Sequence, residues 1–138
     1  MNIETFRKYM TAEILMGPNS VIILEELLNK HPVGLTETDI ILDLGCGKGL
    51  TSFVLSEETA AKVYASDLWI PAEDNKKRFV EWGIENQAVP FCEDANDLHF
   101  DKKLFRALVS IDAYHYFATK SSFLLKRFCL FSKTRQRC

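Results

Sequence analysis

The sequence contains little cysteine, glycine or proline and no long apolar run. Its 138 residues include four cysteines, six glycines and four prolines. The cysteines form no C-x-x-C pair and have no histidine cluster nearby, so their spacing favours neither a zinc site nor a disulfide framework; they are Cys46, Cys92, Cys129 and Cys138. This spacing indicates that the cysteines are reduced thiols, and we therefore expect a cytoplasmic protein.

The chain also lacks the sequence features of export and membrane insertion. No stretch has the length of apolar sequence that a membrane-spanning helix needs, and the N-terminal residues MNIETFRKYM mix acidic and basic side chains. A hydrophobic share of 47% over this length is enough for one core. We therefore expect a single domain over residues 1–138 and no insertion into a membrane.

Acidic residues are absent from the end of the chain. Residues 1–119 hold all 19 Asp and Glu residues and 11 of the 17 Lys and Arg residues, whereas residues 120–138 hold six basic residues and no acid. An acidic body repels phosphate backbones, so we expect no nucleic-acid partner. The basic residues of the tail alternate with apolar ones, as on a solvated helix face; an arm for nucleic acid or anionic membrane is the alternative.

The pattern of apolar residues predicts helices first and then an alternation of strands and helices. Residues 2–16 have helical spacing, residues 17–20 (GPNS) have turn chemistry, and a second helix is predicted from Asn19 or Ser20 to His31-Pro32. Strands are then predicted at 40–44, 62–66, 89–92 and 107–111, with helices at 50–58 and 73–82. This order predicts an α/β fold with a parallel sheet that helices cover on both sides.

The segment DLGCGKG, residues 43–49, lies between the first strand and the next helix, where open α/β sheets bind ligands. Glycines let the backbone turn sharply and approach a ligand, and the helix N-terminus offers unpaired N–H groups. A dinucleotide fingerprint would need glycine at position 50, which is Leu50. The alternatives are a tight turn without a ligand and, for Asp43, a structural acid bonded to loop N–H groups.

With its acid followed by G-x-G-x-G, this segment resembles the first motif of class I S-adenosylmethionine-dependent methyltransferases. The resemblance extends from about Ile40 to about Tyr116 and is to the bacterial small-molecule type, loosely like relatives of cyclopropane-fatty-acid synthase and the ubiquinone-biosynthesis methyltransferases. It implies S-adenosyl-L-methionine as cofactor and a small-molecule acceptor. It also implies a Rossmann-like sheet in the strand order 3-2-1-4-5-7-6, with the seventh strand antiparallel.

The resemblance assigns further positions to the cofactor. Asp67 matches the acid that accepts hydrogen bonds from both ribose hydroxyls, and Asp94-Ala95 match the pair that contacts adenine. The segment 110–112 (SID) matches the end of the fourth strand beside the reactive methyl group. From the residues alone, Asp67 and Asp94 can instead cap a following helix. The cofactor-binding residues implied are Asp43, Gly45, Cys46, Gly47, Gly49, Asp67, Leu68, Asp94, Ala95 and Ile111.

Two further assignments concern the N-terminus and catalysis. Residues 1–36 resemble an N-terminal helical segment that covers the cofactor in such proteins, which makes Tyr9, Met10 and Met16 predicted cofactor or lid contacts. His115 is the predicted catalytic residue, because histidine titrates near neutrality and can remove a proton from a nucleophile. The alternative is that the aromatic run around His115 only packs, and Trp69 and Trp82 are predicted core or rim residues.

The end of the chain departs from the family pattern. Residues 37–117 match the cofactor-binding core, but only 22 residues follow Tyr116, enough for one helix over about 121–131. Strands 5, 7 and 6 therefore lack counterparts, and the change to the atypical basic tail, 118–138, predicts a truncated or frameshifted C-terminus; the alternative is a genuine short member of the family. The fourth strand then becomes a sheet edge, and we expect self-association there. A cofactor-binding module without transfer activity, or a regulatory partner, is the second functional hypothesis.

Overall fold

The computed structural model describes residues 2–32, 34–101 and 103–117. Four strands form a parallel sheet in the order β3-β2-β1-β4, which confirms the predicted fold class and strand order. Parallel strands end at the same edge of a sheet, so the loops that follow them meet there. The strands are β1 (Ile40–Leu44), β2 (Lys62–Asp67), β3 (Ala88–Cys92) and β4 (Ala107–Val109).

In the described part of the chain, five α-helices accompany the sheet: α1 (Ala12–Leu15), α2 (Ser20–Lys30), α3 (Leu50–Glu58), α4 (Ala72–Trp82) and α5 (Tyr114–Phe117). Asn19 is the N-cap of α2, as predicted, and its Oδ1 accepts from the backbone N–H groups of Val21 and Ile22 at 3.2 and 3.3 Å. The bounds of α3 are those predicted from the sequence. The helix predicted over 121–131 lies outside the described residues.

The single helix predicted over residues 2–16 is wrong. The chain forms two short 3₁₀ turns, Ile3–Thr5 and Arg7–Tyr9, before α1 begins. Met10 leaves the helical region with φ −79° and ψ 54°, and the Thr11 side chain caps α1 by accepting from the N–H of Ile14 at 3.3 Å. A local cap therefore overrides an apolar periodicity that continues through the break.

Strand β4 ends two residues before the predicted limit at position 111. Ile111 and Asp112 form a bend, and Asp112 has a positive φ of 53°. This conformation turns the chain away from the sheet before α5 begins. Among the described residues β4 is an edge of the sheet; self-association through that edge stays a prediction.

Aromatic packing attaches the N-terminal segment to α3 and α4. The ring of Phe53 meets Phe6 and Tyr9 edge to face, with centroids 5.2 and 5.1 Å apart, and stacks on Trp82 at 5.2 Å. Phe6 is fully buried. Burial of these rings positions residues 11–20 beside the loop that follows β1. None of the described helices has the length and apolar character that crossing a membrane requires.

Candidate functional site

The loop between β1 and α3 is fixed to the end of β2. The backbone N–H groups of Gly45 and Cys46 both donate to the carbonyl oxygen of Ser66, at 2.7 and 3.1 Å. The N–H of Gly47 donates to Asp67 Oδ2 at 2.9 Å. The glycine turn and the carboxylate at the tip of the neighbouring strand are therefore in direct contact.

The glycines of this loop serve two different purposes. Gly45 and Gly47, at φ 75° and 55°, line the cleft described below, and their bare backbone faces it. Gly49, at φ 84°, lies outside that lining, and a Cβ built on it would be 2.5 Å from Cε1 of Phe79. Because Gly49 has no side chain, α3 can begin in contact with α4. The predicted contact between Gly49 and the cofactor stays a prediction.

Asp43 lies beneath the loop and is fully buried. Its Oδ2 accepts from the hydroxyls of Thr51 and Ser52, each at 2.6 Å, and its Oδ1 has no hydrogen-bond partner among the described residues. Its partners are thus the first turn of α3 and not the loop N–H groups. Burial raises the pKa of Asp43 to about 6; the two hydroxyls oppose that rise, and the charge of Asp67 adds to it.

Asp67 forms a turn at the start of the loop after β2. Its Oδ1 accepts from the N–H groups of Trp69 and Ile70 at 2.8 and 3.0 Å. The N-cap of α4 is Pro71, so Asp67 is not the cap of that helix. A carboxylate offers about four acceptor positions, and with three bonds made, including the one from Gly47, Asp67 can still accept from a ligand.

Asn75 supports the loop from α4, a role that the sequence did not indicate. This buried side chain donates from Nδ2 to the carbonyl oxygen of Gly47 at 2.9 Å, and its Oδ1 accepts from Arg78 at 2.7 Å. The thiol of Cys46 lies close by, and burial, with a smaller effect from Asp43 and Asp67, raises its pKa. The thiol is therefore neutral near pH 7 and not nucleophilic.

The loops after β1, β2 and β3 line a first, open cavity of about 160 Å³. Asp67, Leu68, Asp94 and Ala95 line it, so the structure brings together these predicted contacts. Asp94 Oδ1 also accepts from the backbone N–H of Asn96 at 2.8 Å; it forms a turn there and caps no helix. The other lining residues are Leu44, Gly45, Ser66, Trp69, Glu93, Asn96, Ala113 and Tyr116.

A second open cavity, of about 130 Å³, lies between the glycine loop, the N-terminal segment and the bend after β4. Its lining includes the predicted contacts Gly45, Cys46, Gly47, Ile111 and Met16. The two cavities share five lining residues and therefore adjoin each other, and together they are called the cleft. The shared residues are Gly45, Asp67, Trp69, Ala113 and Tyr116.

Besides Asp43 and Gly49, three further predicted residues do not line this cleft. Tyr9 packs in the aromatic cluster around Phe53, and Met10 Sδ accepts from the side chain of Asn19 at 3.6 Å. The exposed His115 contacts Tyr116, with ring centroids 4.0 Å apart, and belongs to the lining of neither cavity. Its catalytic role stays a prediction.

The charges in the cleft are mainly negative. Four carboxylates are in the lining, those of Asp67, Glu93, Asp94 and Asp112. Of the lining residues that the structure describes, Lys48, which faces Glu13 at 3.7 Å, is the one basic residue. Outside the cleft, a hydrogen bond with Glu93 raises the pKa of His99. In the part of the chain that the structure describes, no group of three or more His, Cys, Asp or Glu residues is placed to hold a metal ion.

Comparison with known proteins identifies the family. A family model described as a methyltransferase domain matches residues 41–129, which is more than half of the chain, and the chain belongs to this family. S-adenosyl-L-methionine is the cofactor of the family, as the resemblance implied. No curated protein sequence matches the chain.

Solved structures share the fold. Geranyl diphosphate C-methyltransferase from Streptomyces coelicolor A3(2), in complex with Mg²⁺, geranyl diphosphate and S-adenosyl-L-homocysteine, has 22% identity and a TM-score of 0.57 over 65% of this chain and 35% of that chain. A putative S-adenosyl-L-methionine-dependent methyltransferase from Methanococcus maripaludis has 16% identity and a TM-score of 0.68. The match covers 88% of this chain and 54% of that chain. An S-adenosylmethionine-dependent methyltransferase from Aquifex aeolicus has 18% identity and a TM-score of 0.66. The match covers 96% of this chain and 68% of that chain.

This chain is short beside several of these proteins. It spans about a third of the length of the geranyl diphosphate methyltransferases that it matches. The sheet order β3-β2-β1-β4 with flanking helices is the Rossmann-like arrangement of the class I methyltransferases. The predicted fold class is therefore confirmed.

Proposed function

We propose that the chain binds S-adenosyl-L-methionine in the cleft at the carboxyl ends of the strands and acts in methyl transfer to a small-molecule acceptor. The observation that carries the proposal is the contact between Gly47 and Asp67 Oδ2, at 2.9 Å. It brings bare backbone and a carboxylate acceptor to the middle of one cleft. Membership of the methyltransferase-domain family and the class I fold support the same ligand.

The two cavities fit the two parts of the cofactor. In the first, Asp67 offers carboxylate oxygens to a ribose diol, and Asp94 and Ala95, which the family resemblance assigns to adenine, are in the lining. In the second, Gly45 and Gly47 expose backbone to an amino-acid moiety, with Ile111 opposite. A ligand that occupies both cavities passes over the residues that they share.

The residues in the cleft position groups and exclude water; they need not supply strong acids or bases. Gly45, Gly47 and Asp67 would hold the cofactor, which would supply a methyl group made electrophilic by its positively charged sulfur, with that sulfur as the leaving group. Holding donor and acceptor in line lowers the barrier by converting a bimolecular step into an effectively unimolecular one. His115 is the proposed residue for taking a proton from an acceptor that carries one.

The charge of the cleft favours a small acceptor over a nucleic acid. Four carboxylates in the lining, Asp67, Glu93, Asp94 and Asp112, repel a phosphate backbone. The geranyl diphosphate enzyme was crystallised with Mg²⁺, whereas among the described residues of this chain no group of three or more His, Cys, Asp or Glu residues is placed to hold a metal ion. We therefore propose an acceptor without a diphosphate group.

Calorimetry tests the cofactor assignment. We expect S-adenosyl-L-homocysteine to bind the wild type and to bind Asp67→Ala at least about tenfold more weakly, because the ribose hydroxyls lose a charged acceptor. The matched control is Asp97→Ala, which removes an exposed carboxylate on the loop after β3, outside the cleft. Equal affinity in wild type and Asp67→Ala would contradict the assignment.

Radiolabelled methyl transfer tests the activity. Wild-type protein is incubated with labelled S-adenosyl-L-methionine and panels of amine, phenol, thiol and carboxylate acceptors. We expect label to enter at least one small acceptor and none to enter RNA or DNA. A chain that binds the cofactor with normal affinity and labels no acceptor would be a binding module, which is the second hypothesis.

A further inference from the structure

Two large aromatic side chains stand at the mouth of the cleft. The rings of Trp69, from the loop after β2, and Tyr116, from α5, meet edge to face with centroids 5.0 Å apart. Trp69 is 66% exposed and Tyr116 61% exposed, although both line the two cavities. Exposed aromatic rings that line a concave site are typical of a surface that a ligand covers.

The place of this pair in the cleft indicates which part of a ligand it meets. Besides Trp69 and Tyr116, the residues common to both cavities are Gly45, Asp67 and Ala113, so the pair stands where the cavities join. In S-adenosyl-L-methionine, a positively charged sulfur links the ribose to the amino-acid chain. With the nucleoside in one cavity and the amino acid in the other, as proposed above, that sulfur lies at the junction beside the aromatic pair.

We infer that Trp69 and Tyr116 recognise the positive charge of the donor, so that the cleft holds S-adenosyl-L-methionine more tightly than its neutral product. The faces of indole and phenol rings attract a nearby cation through the ring quadrupole, and Trp is the strongest of the aromatic side chains in this respect. Loss of the methyl group removes the charge and leaves the rest of the ligand unchanged. The attraction then vanishes, which favours exchange of product for fresh donor.

Affinity for charged and neutral ligands tests this inference, which rests on the proposed cofactor site. Calorimetry gives the dissociation constants of S-adenosyl-L-methionine, of S-adenosyl-L-homocysteine and of sinefungin, whose amine carries the charge near the same place. We expect the wild type to prefer the two cations to S-adenosyl-L-homocysteine by about fivefold or more. Trp69→Leu and Tyr116→Leu reduce this preference, whereas Trp69→Phe retains most of it.

Two controls separate the aromatic pair from other causes. Tyr114→Leu makes the same change on α5 at a residue that lines neither cavity, and it leaves the preference intact. Asp112→Asn tests the carboxylate in the second cavity. If Trp69→Leu and Tyr116→Leu weaken all three ligands equally, or if only Asp112→Asn removes the preference, the inference is wrong while the cofactor site stands. If the wild type binds none of the three ligands, the proposed function itself is wrong.

Discussion

The hydroxyl of Ser52 donates to Asp43 Oδ2 over 2.6 Å, and both side chains are fully buried. Thr51 donates to the same oxygen, whereas Oδ1 has no hydrogen-bond partner among the described residues. This half-satisfied carboxylate joins the end of β1 to the first turn of α3. Because it is buried, the charge of Asp43 makes the stability of the fold depend on pH.

We expect Asp43 to destabilise the fold as pH rises. Its pKa is raised from 3.8 to about 6, so between these values the folded state binds more protons than the unfolded state. The contribution of Asp43 to the free energy of unfolding is most favourable below about pH 4 and is lost as pH rises through about 6. The total loss is on the order of 3 kcal/mol. Urea unfolding of wild type and Asp43→Asn from pH 4.5 to 7.5 measures this. As pH rises, the free energy of unfolding of Asp43→Asn should increase relative to that of the wild type. A difference that stays constant with pH would contradict the assignment.

Gly49→Ala should destabilise the protein more than the same change at Gly83. Both glycines have positive φ, 84° and 73°, which a side chain adopts at a cost of about 1 kcal/mol. A Cβ at Gly49 would also lie 2.5 Å from Phe79, whereas at Gly83 nothing lies within 4 Å. Denaturant unfolding should give a loss of about 2–4 kcal/mol for Gly49→Ala and about 1 kcal/mol for Gly83→Ala. Equal losses would show that Phe79 moves aside freely.

Asn75→Asp should weaken cofactor binding without any change at the cleft surface. The substitution keeps the size of the side chain but replaces the donor to the Gly47 carbonyl with an acceptor, which leaves that carbonyl only the weak hydrogen bond from the Cys46 thiol at 3.6 Å. We expect S-adenosyl-L-homocysteine to bind about tenfold more weakly in calorimetry. Glu81→Gln, also on α4, is the matched control. Unchanged binding by Asn75→Asp would mean that β2 alone holds the loop.

Asn19→Ala should cost about 1 kcal/mol of folding free energy, because the cap of α2 accepts two backbone N–H groups. Asn19→Ser should lose less, since serine also caps well. Thermal unfolding followed by circular dichroism compares the variants. If alanine and serine are equally destabilising, the lost contact is the one between Asn19 and Met10, and not the cap.

The segment from β1 to α3 was predictable because its signals are local. An apolar strand, glycines at fixed spacing and a helical pattern lie within residues 40–58, and the structure has those elements at those bounds. The position of Asp67 at the end of β2 follows from the same alternation of elements. The order of strands β3-β2-β1-β4 came from the resemblance to a family.

Contacts between distant parts of the chain were not predictable in this way. Asn75 stands in a charged helix beside two lysines, and its partner Gly47 is 28 residues away. Trp69 lies on the loop after β2 and Tyr116 on α5, and nothing in their spacing shows that their rings meet. The break at Met10 was missed because apolar periodicity continues through it, while the cap at Thr11 acts only in the folded geometry.

Three hydrogen bonds join the glycine loop to the end of β2. The carbonyl of Ser66 accepts from the N–H groups of Gly45 and Cys46, and the carboxylate of Asp67 accepts from the N–H of Gly47. These hydrogen bonds hold the glycine loop and the Asp67 carboxylate in a fixed relative position. A ligand that arrives on this side meets donors and acceptors that already have their final spacing. Association there should lose little conformational entropy, which leaves the N-terminal segment and the bend at Asp112 as the parts that adjust.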